Sequence, residues 1–249
     1  MLMRKLRFSF LAVIAISIIV LQSCKDDSSL LTKPAVSDQS FSEEFDTARA
    51  ALNRGWHFIN KSQPIGPGVW QQGGGIPPWF QAYSSHGSYV GFIGADYTST
   101  SAGQGVISNW LVSPPVVLQN GDKIIFYTKA LVTENPFVTG DSTDWANRLQ
   151  VAINRYNDGL NVGSGLDMGD FSTVILDINP FYNEYHTASV SSPYAYPAKW
   201  TRFEAVVYGL TQPVKGRFAF RYFVEGGGNN GRANGVAVDK VSFVSASHH

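Results

Sequence analysis

The chain has 249 residues and a formal charge of zero at pH 7, from 19 basic and 19 acidic side chains, and 13% of its residues are aromatic. No basic patch accompanies this balance, which argues against nucleic acid as a partner. The single cysteine, Cys24, excludes a disulfide within the chain. Frequent glycine and heavy use of aromatic residues, with little helical periodicity, indicate a β-rich and loop-rich extracellular protein.

The first residues of the chain predict a signal peptide. Arg4, Lys5 and Arg7 form a positive segment, and residues 8–21 follow as an uncharged, mostly aliphatic run. A bilayer-spanning helix needs about 20 apolar residues, so this run is short for a permanent anchor and has the length of a signal-peptide core. We therefore expect residues 1–23 to be removed from the mature protein.

A cysteine follows this run in the sequence Leu21-Gln22-Ser23-Cys24. This sequence resembles the lipobox of bacterial lipoproteins, which implies cleavage before Cys24 and a membrane anchor through lipid on its thiol. The alternative is an ordinary secretory signal with a chance cysteine. Residues 24–40 are predicted to be a flexible tether. Its Lys25-Asp26-Asp27 resembles the surface-export signal of Bacteroidetes lipoproteins, although a solvated spacer has the same composition. We expect an outer-membrane lipoprotein that faces outward rather than into the periplasm.

Residues 41–249 are predicted to form one all-β domain. The alternation of Leu149, Val151 and Ile153 is typical of a strand with one buried face, and Asn120-Gly121-Asp122 predicts a hairpin turn. Strands are expected at residues 41–45, 56–60, 88–93, 110–113, 116–118, 123–130, 148–154, 171–178, 201–208, 217–224 and 236–243, and a short helical turn at residues 47–53. An antiparallel two-sheet β-sandwich accounts for this pattern.

Five sequence blocks follow one another along this domain: Phe41-Ser42-Glu43-Glu44-Phe45; Asn109-Trp110-Leu111-Val112-Ser113-Pro114 with Asn120-Gly121-Asp122; Val162-Gly163-Ser164 through Gly169-Asp170-Phe171-Ser172 to Leu176-Asp177-Ile178-Asn179-Pro180; Tyr196-Pro197-Ala198-Lys199-Trp200-Thr201-Arg202-Phe203 before Gly216-Arg217-Phe218-Ala219-Phe220-Arg221-Tyr222; and Gly235-Val236-Ala237-Val238-Asp239-Lys240-Val241. Together they resemble the choice-of-anchor J domain, which is related to cleaved adhesin domains and to MAM-like jelly rolls. The resemblance covers residues 41–244. It implies a galactose-binding-like jelly roll used for adhesion or ligand binding, and it names no ligand.

The same resemblance implies one structural calcium ion that ties the first and last strands together. Glu43 lies in the first predicted strand and Asp239 in the last, at the acidic positions of the family. Calcium takes six to eight oxygen ligands from carboxylates and carbonyls. In the alternative interpretation, Asp239 accepts backbone N–H groups and Glu43 is a solvated strand residue.

Four aromatic residues are candidate glycan-binding residues because they lie in or beside Gly-, Pro- and Asp-rich stretches: Trp70, Trp79, Tyr83 and Trp145. A flat ring on a loop can stack on a sugar face, but large aromatics in a sandwich also pack loops and core. The glycine-rich segment at residues 225–235 is either a mobile binding loop or a wide turn between two strands. Three further tryptophans are expected in the core: Trp56, Trp110 and Trp200.

Catalysis has little support in the sequence. It contains neither a Gly-x-Ser-x-Gly elbow nor a His-Glu-x-x-His motif. The expected function is a non-catalytic surface module that binds a glycan or adheres to a surface. The alternative is a structural or protein-binding component that contacts an envelope or host surface protein. The third choice is a glycan-active enzyme, because the spatial separation of carboxylates is not visible in sequence; the acids considered are Glu134, Glu184, Glu204 and Glu225.

Overall fold

The computed structural model describes residues 36–84 and 88–247. The predicted signal peptide, Cys24 and most of the predicted tether lie outside the described residues. The described elements are, in chain order, β1 Phe41–Glu43, α1 Ala48–Asn53, β2 His57–Asn60, β3 Gln71–Gln72, β4 Ile93–Asp96, a 3-10 turn Tyr97–Ser99, β5 Gly105–Val112, β6 Val116–Leu118, β7 Lys123–Ala130, β8 Thr133–Glu134, β9 Ser142–Thr143, β10 Leu149–Asn154, β11 Thr173–Ile178, β12 Thr201–Val206, β13 Val214–Gly227 and β14 Gly235–Val244.

Two antiparallel sheets face each other across the interior. Sheet 1 has the order β12-β7-β14-β4-β3, with β1 also paired to β14. Sheet 2 has the order β11-β10-β13-β5-β2, with β6 also paired to β13. The short strands β8 and β9 pair with each other as a separate hairpin. The prediction of an all-β, antiparallel two-sheet jelly-roll sandwich is confirmed.

Helix α1 confirms the helical turn predicted at residues 47–53. Its N-cap is Thr47, whose hydroxyl accepts a hydrogen bond from the backbone N–H of Ala50 at 3.1 Å. Such a cap satisfies one of the N–H groups that a first helical turn leaves without an intrahelical partner. Ala51 is buried in the core, so its face of the helix packs against the interior. No helix within the described ranges is long and apolar enough to cross a bilayer.

The main core lies between the sheets and follows the two-residue period of the strands. Leu149, Val151 and Ile153 of β10 point into it, as their alternation predicts. In β13 the inward side chains include Phe218 and Phe220. Because both sheets contribute large aliphatic and aromatic residues, the interior is filled without help from disulfides.

Sheet 2 is buried on its second face as well. There Trp110 and Val112 of β5 and Ala219 of β13 pack against Phe171 from the long segment between β10 and β11. The guanidinium group of Arg221 is buried on this face, over the ring of Phe223. Burial lowers the pKa of Arg221 to about 10. Because both faces are covered, β5 and β13 are apolar or buried at nearly every position.

A β-bulge in β14 reverses which side chains face the interior. The register with β7 shifts after Asp239, and Lys240 has a left-handed backbone with φ of 47°. Val238 and Val241 both belong to the core as a result. Asp239 therefore faces outward from sheet 1. Glu43 pairs directly with Val241, so its side chain lies on the inner side of the same sheet.

One predicted strand is wrong. Residues 88–92 do not form a strand, and β4 begins at Ile93. The continuation of β4 was missed because it contains Gly94, which interrupts the hydrophobic pattern. A Cβ at Gly94 would lie 2.8 Å from the Trp79 ring, so the missing side chain makes room for an aromatic residue that covers the strand.

Replacement of Phe218 by alanine is expected to be among the most destabilising changes in the chain. The Phe218 ring lies 5.8 Å from the ring of Trp56 and 6.0 Å from that of Phe243, between centroids. Phe218→Ala leaves a cavity at this junction and should lower the free energy of unfolding by about 3–5 kcal/mol. The measurement is equilibrium unfolding in urea. Phe181→Ala, at a side chain that is 85% exposed, is the control and should change it by less than ~0.5 kcal/mol. Equal effects of the two variants would contradict this account of the core.

Candidate functional site

A cleft of about 580 Å³ lies at one end of the sandwich. It is bounded by the residues that follow β4, by the β8–β9 hairpin, by the segment before β10 and by the loop between β13 and β14. The antiparallel pairing of these strands brings their connections to the same end. Three aromatic side chains line the cleft, Tyr97, Phe137 and Trp145, and its polar lining includes Glu134 and Asn229.

Trp145 is presented by a tight turn that follows β9. Trp145 and Ala146 have φ of 55° and 61°, a left-handed conformation that is uncommon outside glycine. The carboxylate of the buried Asp144 holds the turn, because it accepts N–H bonds from Ala146 and Asn147 at 3.2 Å each and from Tyr185 at 2.9 Å. Burial nevertheless raises the pKa of Asp144 above its ordinary value. The turn is thus held by its own side chain while the indole ring faces the cleft.

Phe137 lies at the tip of the β8–β9 hairpin and is 83% exposed. Its ring is perpendicular to that of Trp145, with an interplanar angle of 86° and 6.2 Å between centroids. The side chain of Asn135 fixes the tip, because its oxygen accepts the Phe137 N–H at 3.0 Å and its nitrogen donates to Asp141 at 2.9 Å. Phe137 is therefore exposed on a structured connection.

Asp141 anchors the hairpin to the segment after β11. Its carboxylate accepts the backbone N–H groups of Thr187 and Ala188 at 2.9 and 3.0 Å, and it lies 2.7 Å from His186 Nδ1. The N–H of Ala188 is the largest of the influences that lower the pKa of Asp141. The same contact with Asp141 raises the pKa of His186, with a smaller contribution from Glu184.

The glycine-rich loop at residues 225–235 forms one wall of the cleft and is tied down by backbone contacts. The Asn230 N–H donates to Gly103 O at 2.9 Å, and the Gln104 side chain donates to Asn230 O at 3.0 Å. Gly228 has φ of 132° and leaves no room for a Cβ against Ala102 O, so glycine is required there. The loop is thus a wide, structured turn that also lines the cleft.

The loop and the hairpin are joined to each other. The Asn234 side chain donates to Thr133 Oγ1 at 2.7 Å and to Thr143 O at 3.1 Å. By contrast, the side-chain amides of Asn229 and Asn230 are exposed, and among the described residues neither is hydrogen-bonded. Sequence reasoning identified the loop but not Tyr97 or Phe137, and it considered Glu134 only as a catalytic acid, because the convergence of these residues depends on how distant connections meet.

Of the four predicted aromatic ligand residues, the cleft contains Trp145. The prediction for Trp70 is wrong, because its side chain is 1% exposed and belongs to the core between the sheets. Trp70 immediately precedes β3, where the first residue of an edge strand can point inward even though the flanking stretch is rich in glycine. A ring in this position cannot reach a ligand.

Trp79 and Tyr83 lie on the outer face of sheet 1, away from the cleft lining. The Trp79 ring packs over Gly74, Gly94 and Gly235, where each Cβ would lie within 2.8 Å of it. This packing occupies one face of the indole. The Tyr83 ring is stacked on Tyr127, with centroids 3.6 Å apart, so one of its faces is also covered.

Trp200 belongs to the same outer layer, so its expected place in the core is wrong. It contacts Phe80 and Phe92 edge-on, at 5.6 and 5.7 Å between centroids, and its indole N–H donates to Gln81 O at 3.0 Å. Trp56 and Trp110 are buried as predicted. The sequence did not separate these cases because an outward aromatic layer and an inward core have the same composition.

The pairing of Glu43 with Asp239 as metal ligands is wrong. The bulge in β14 places the two residues on opposite faces of sheet 1. Glu43 forms an ion pair with Arg54, whose Nε donates a hydrogen bond to the Glu43 carboxylate at 2.8 Å. The acid that accompanies Asp239 is Glu44, since Ser84 donates through its N–H to Asp239 and through its hydroxyl to Glu44.

Asp239 is completely buried and accepts backbone N–H bonds from Tyr83 at 2.8 Å and Lys240 at 2.7 Å. Burial, with a smaller contribution from Glu44, raises the pKa of Asp239 to about 7. In the part of the chain that the structure describes, no cationic side chain forms a salt bridge with Asp239 or Glu44. Nor do three or more His, Cys, Asp or Glu side chains there form a group that could hold a metal ion. The acidic side chains that could supply oxygen ligands beside Ser84 are thus Asp239 and Glu44.

No protein-family model matches the chain, and no curated protein matches it. Solved structures do. The K3 cleaved adhesin domain of Lys-gingipain from Porphyromonas gingivalis superposes with a TM-score of 0.51 at 14% identity, over 84% of this chain and 100% of that one. The K1 domain of the same protein gives 0.47 at 14% identity, over 82% and 96%. A xylan-binding domain from Paenibacillus barcinonensis gives 0.39 at 13% identity, over 86% and 99%.

The likeness to the K3 domain concerns the fold, since 14% identity is too low to carry ligands or residue roles across. The narrower resemblance to choice-of-anchor J domains stays a prediction. The chain is a jelly-roll β-sandwich that is similar in fold to the K3 cleaved adhesin domain.

Proposed function

We propose that this domain is a non-catalytic surface module that binds a glycan in the cleft at the end of the sandwich. The observation that carries the proposal is the exposed Phe137 ring beside Trp145, in a cleft that is also lined by the exposed Asn229 and Asn230. Sugar rings present C–H groups on their faces and hydroxyls at their edges. Aromatic rings bordered by free amide donors and acceptors complement both.

The perpendicular arrangement of Phe137 and Trp145 gives the site a corner rather than a flat platform. A sugar in this corner contacts one ring with its face and the other with its edge. The Asn135 and Asp144 hydrogen bonds hold both rings in place before a ligand arrives. A binding site whose walls are already ordered loses less conformational entropy when the ligand binds.

The distribution of acidic residues supports a non-catalytic role. Glycoside hydrolysis generally requires two carboxyl groups on opposite sides of the scissile bond. Of the four acids considered from the sequence, Glu134 lines the cleft. Glu184 contacts His186 and Glu204 pairs with Lys123. Glu225 is near the Tyr182 hydroxyl, at 3.5 Å.

Phe137→Ala is expected to weaken glycan binding without unfolding the domain, because the ring is mostly exposed. Trp145→Ala removes the second ring. Each change should cost about 1 kcal/mol of binding free energy, roughly fivefold in Kd. Binding is first located on a glycan array and then measured by titration calorimetry with the best ligand.

The matched control is Phe181→Ala, which removes an aromatic ring that is equally exposed but lies outside the cleft. This variant should bind as the parent does. A glycan that binds all three variants equally would place the site elsewhere on the surface. A domain that binds no glycan would favour the alternative function, a protein-binding component of the envelope.

We also propose that the protein is held at the outer membrane by lipid on Cys24 and displayed on the cell surface. The support is the lipobox-like sequence and the Lys25-Asp26-Asp27 segment after it. Cys24→Ser should move the full-length protein from the membrane fraction to the soluble fraction when it is expressed in a Bacteroidetes host. External protease should digest the unaltered protein on intact cells. A Cys24→Ser protein that stays in the membrane fraction would exclude a lipid anchor at this residue.

For the predicted calcium ion, we propose Asp239 with Glu44 as the acidic ligands. Their support is the proximity of two carboxylates that share Ser84 and have no cationic partner among the described residues. A bound divalent cation would supply the missing positive charge, link the chain before α1 to β14 and stabilise the folded state.

Calcium should then raise the melting temperature of the domain, and a chelator should reverse the rise. Glu44→Gln is expected to abolish the response to calcium. Glu43→Gln is the matched control: it removes the ion pair with Arg54 and lowers stability, but the response to calcium should remain. A melting temperature that is the same in calcium and in chelator would refute a tightly held structural ion.

A further inference from the structure

The charged side chains that line the cleft are of one sign. Its lining residues include one carboxylate, that of Glu134, and no lysine, arginine or histidine. The Glu134 side chain is exposed and has no salt-bridge partner among the described residues. A ligand in the cleft therefore meets an uncompensated negative charge at the rim.

Two further carboxylates adjoin the aromatic walls from the protein side. Asp144 immediately precedes Trp145 and is completely buried. Asp96 immediately precedes Tyr97 and accepts the backbone N–H of Thr98 at 2.9 Å. Among the described residues neither carboxylate forms a salt bridge, so each adds a negative charge on the protein side of the aromatic walls.

The nearest basic residue on the glycine-rich loop is turned away. The guanidinium group of Arg232 lies over the Tyr182 ring, 4.8 Å from its centroid, and donates to Glu225 O at 3.4 Å. Neither Tyr182 nor Glu225 lines the cleft. These contacts of Arg232 are therefore with residues outside the cleft lining.

We propose that the cleft selects uncharged glycans and discriminates against acidic ones such as uronate-containing or sulfated chains. This inference rests on the proposed function and adds the chemical class of the ligand. The cleft has aromatic rings and amides that suit a neutral sugar. Its lining has a carboxylate but no cationic side chain that could pair with an anionic sugar. Neutral chains carry no charge to be repelled, whereas each carboxylate or sulfate on an acidic chain would be drawn close to at least one negative group.

The test compares neutral oligosaccharides with acidic oligosaccharides of the same length. The neutral panel contains cello-, xylo-, manno-, N-acetylated chito- and galacto-oligosaccharides, and the acidic panel contains oligogalacturonates, alginate oligosaccharides and heparin fragments. Binding is measured at low and at high salt with the folded domain, residues 36–249. The Kd for the best neutral ligand should be at least about fivefold lower than that for any acidic one, the effect of one unit charge at ~4 Å in water.

Glu134→Gln tests whether the charge is the cause. The ratio of acidic to neutral Kd should fall in this variant and fall further in Glu134→Lys. Asp46→Asn removes an exposed carboxylate outside the cleft and should leave the ratio unchanged.

Tighter binding of an acidic ligand that is weakened by Phe137→Ala would overturn the inference while the proposed glycan site stands. A neutral preference that Glu134→Lys leaves unchanged would also overturn it, since charge would then not set the preference. An absence of binding to both panels would overturn the proposed function together with the inference.

Discussion

Strand β13 is the element on which the rest of the structure depends. It pairs with β10 on one side and β5 on the other, and with β6 at its beginning. Both of its faces are buried, by the core on one side and by the layer around Trp110 on the other. A strand in this position cannot shift its register without exposing one set of large side chains. Its end is therefore well fixed, and the glycine-rich loop that lines the cleft starts from that end.

The sandwich was visible in the sequence because the longer strands are apolar runs bounded by turn residues, and some of them, such as residues 123–130, also alternate more and less buried positions. The inner strand β4 was partly missed because Gly94, which leaves room for the Trp79 ring, interrupts its hydrophobic pattern. Strands β8 and β9 have two residues each, too few to show a period. These short elements build the wall of the cleft, so the candidate site was less predictable than the fold.

The predicted site residues differ in outcome for physical reasons that are local. Trp145 and Trp70 both lie in or beside loop-like stretches of the sequence, yet a left-handed turn presents Trp145 to the cleft and Trp70 is buried in the core. Glu43 and Asp239 lie on strands that do pair, β1 with β14, but the bulge at Lys240 separates their faces. Successive side chains along a strand point to opposite faces of the sheet. One added residue in β14 reverses which later side chains face the core, and composition does not reveal where that residue is.

The hydrogen bonds from Asn234 to the β8–β9 hairpin bear on how fast a ligand could enter and leave the cleft. They join its two walls, so neither wall can open alone as a lid. A ligand can then enter and leave without waiting for a slow rearrangement, and weak single contacts exchange rapidly. If the protein is displayed on a membrane and binds glycans as proposed, many copies that engage the same extended ligand would hold it firmly, because rebinding outpaces complete detachment. Retention would then follow the density of the protein on the membrane more than the strength of one cleft.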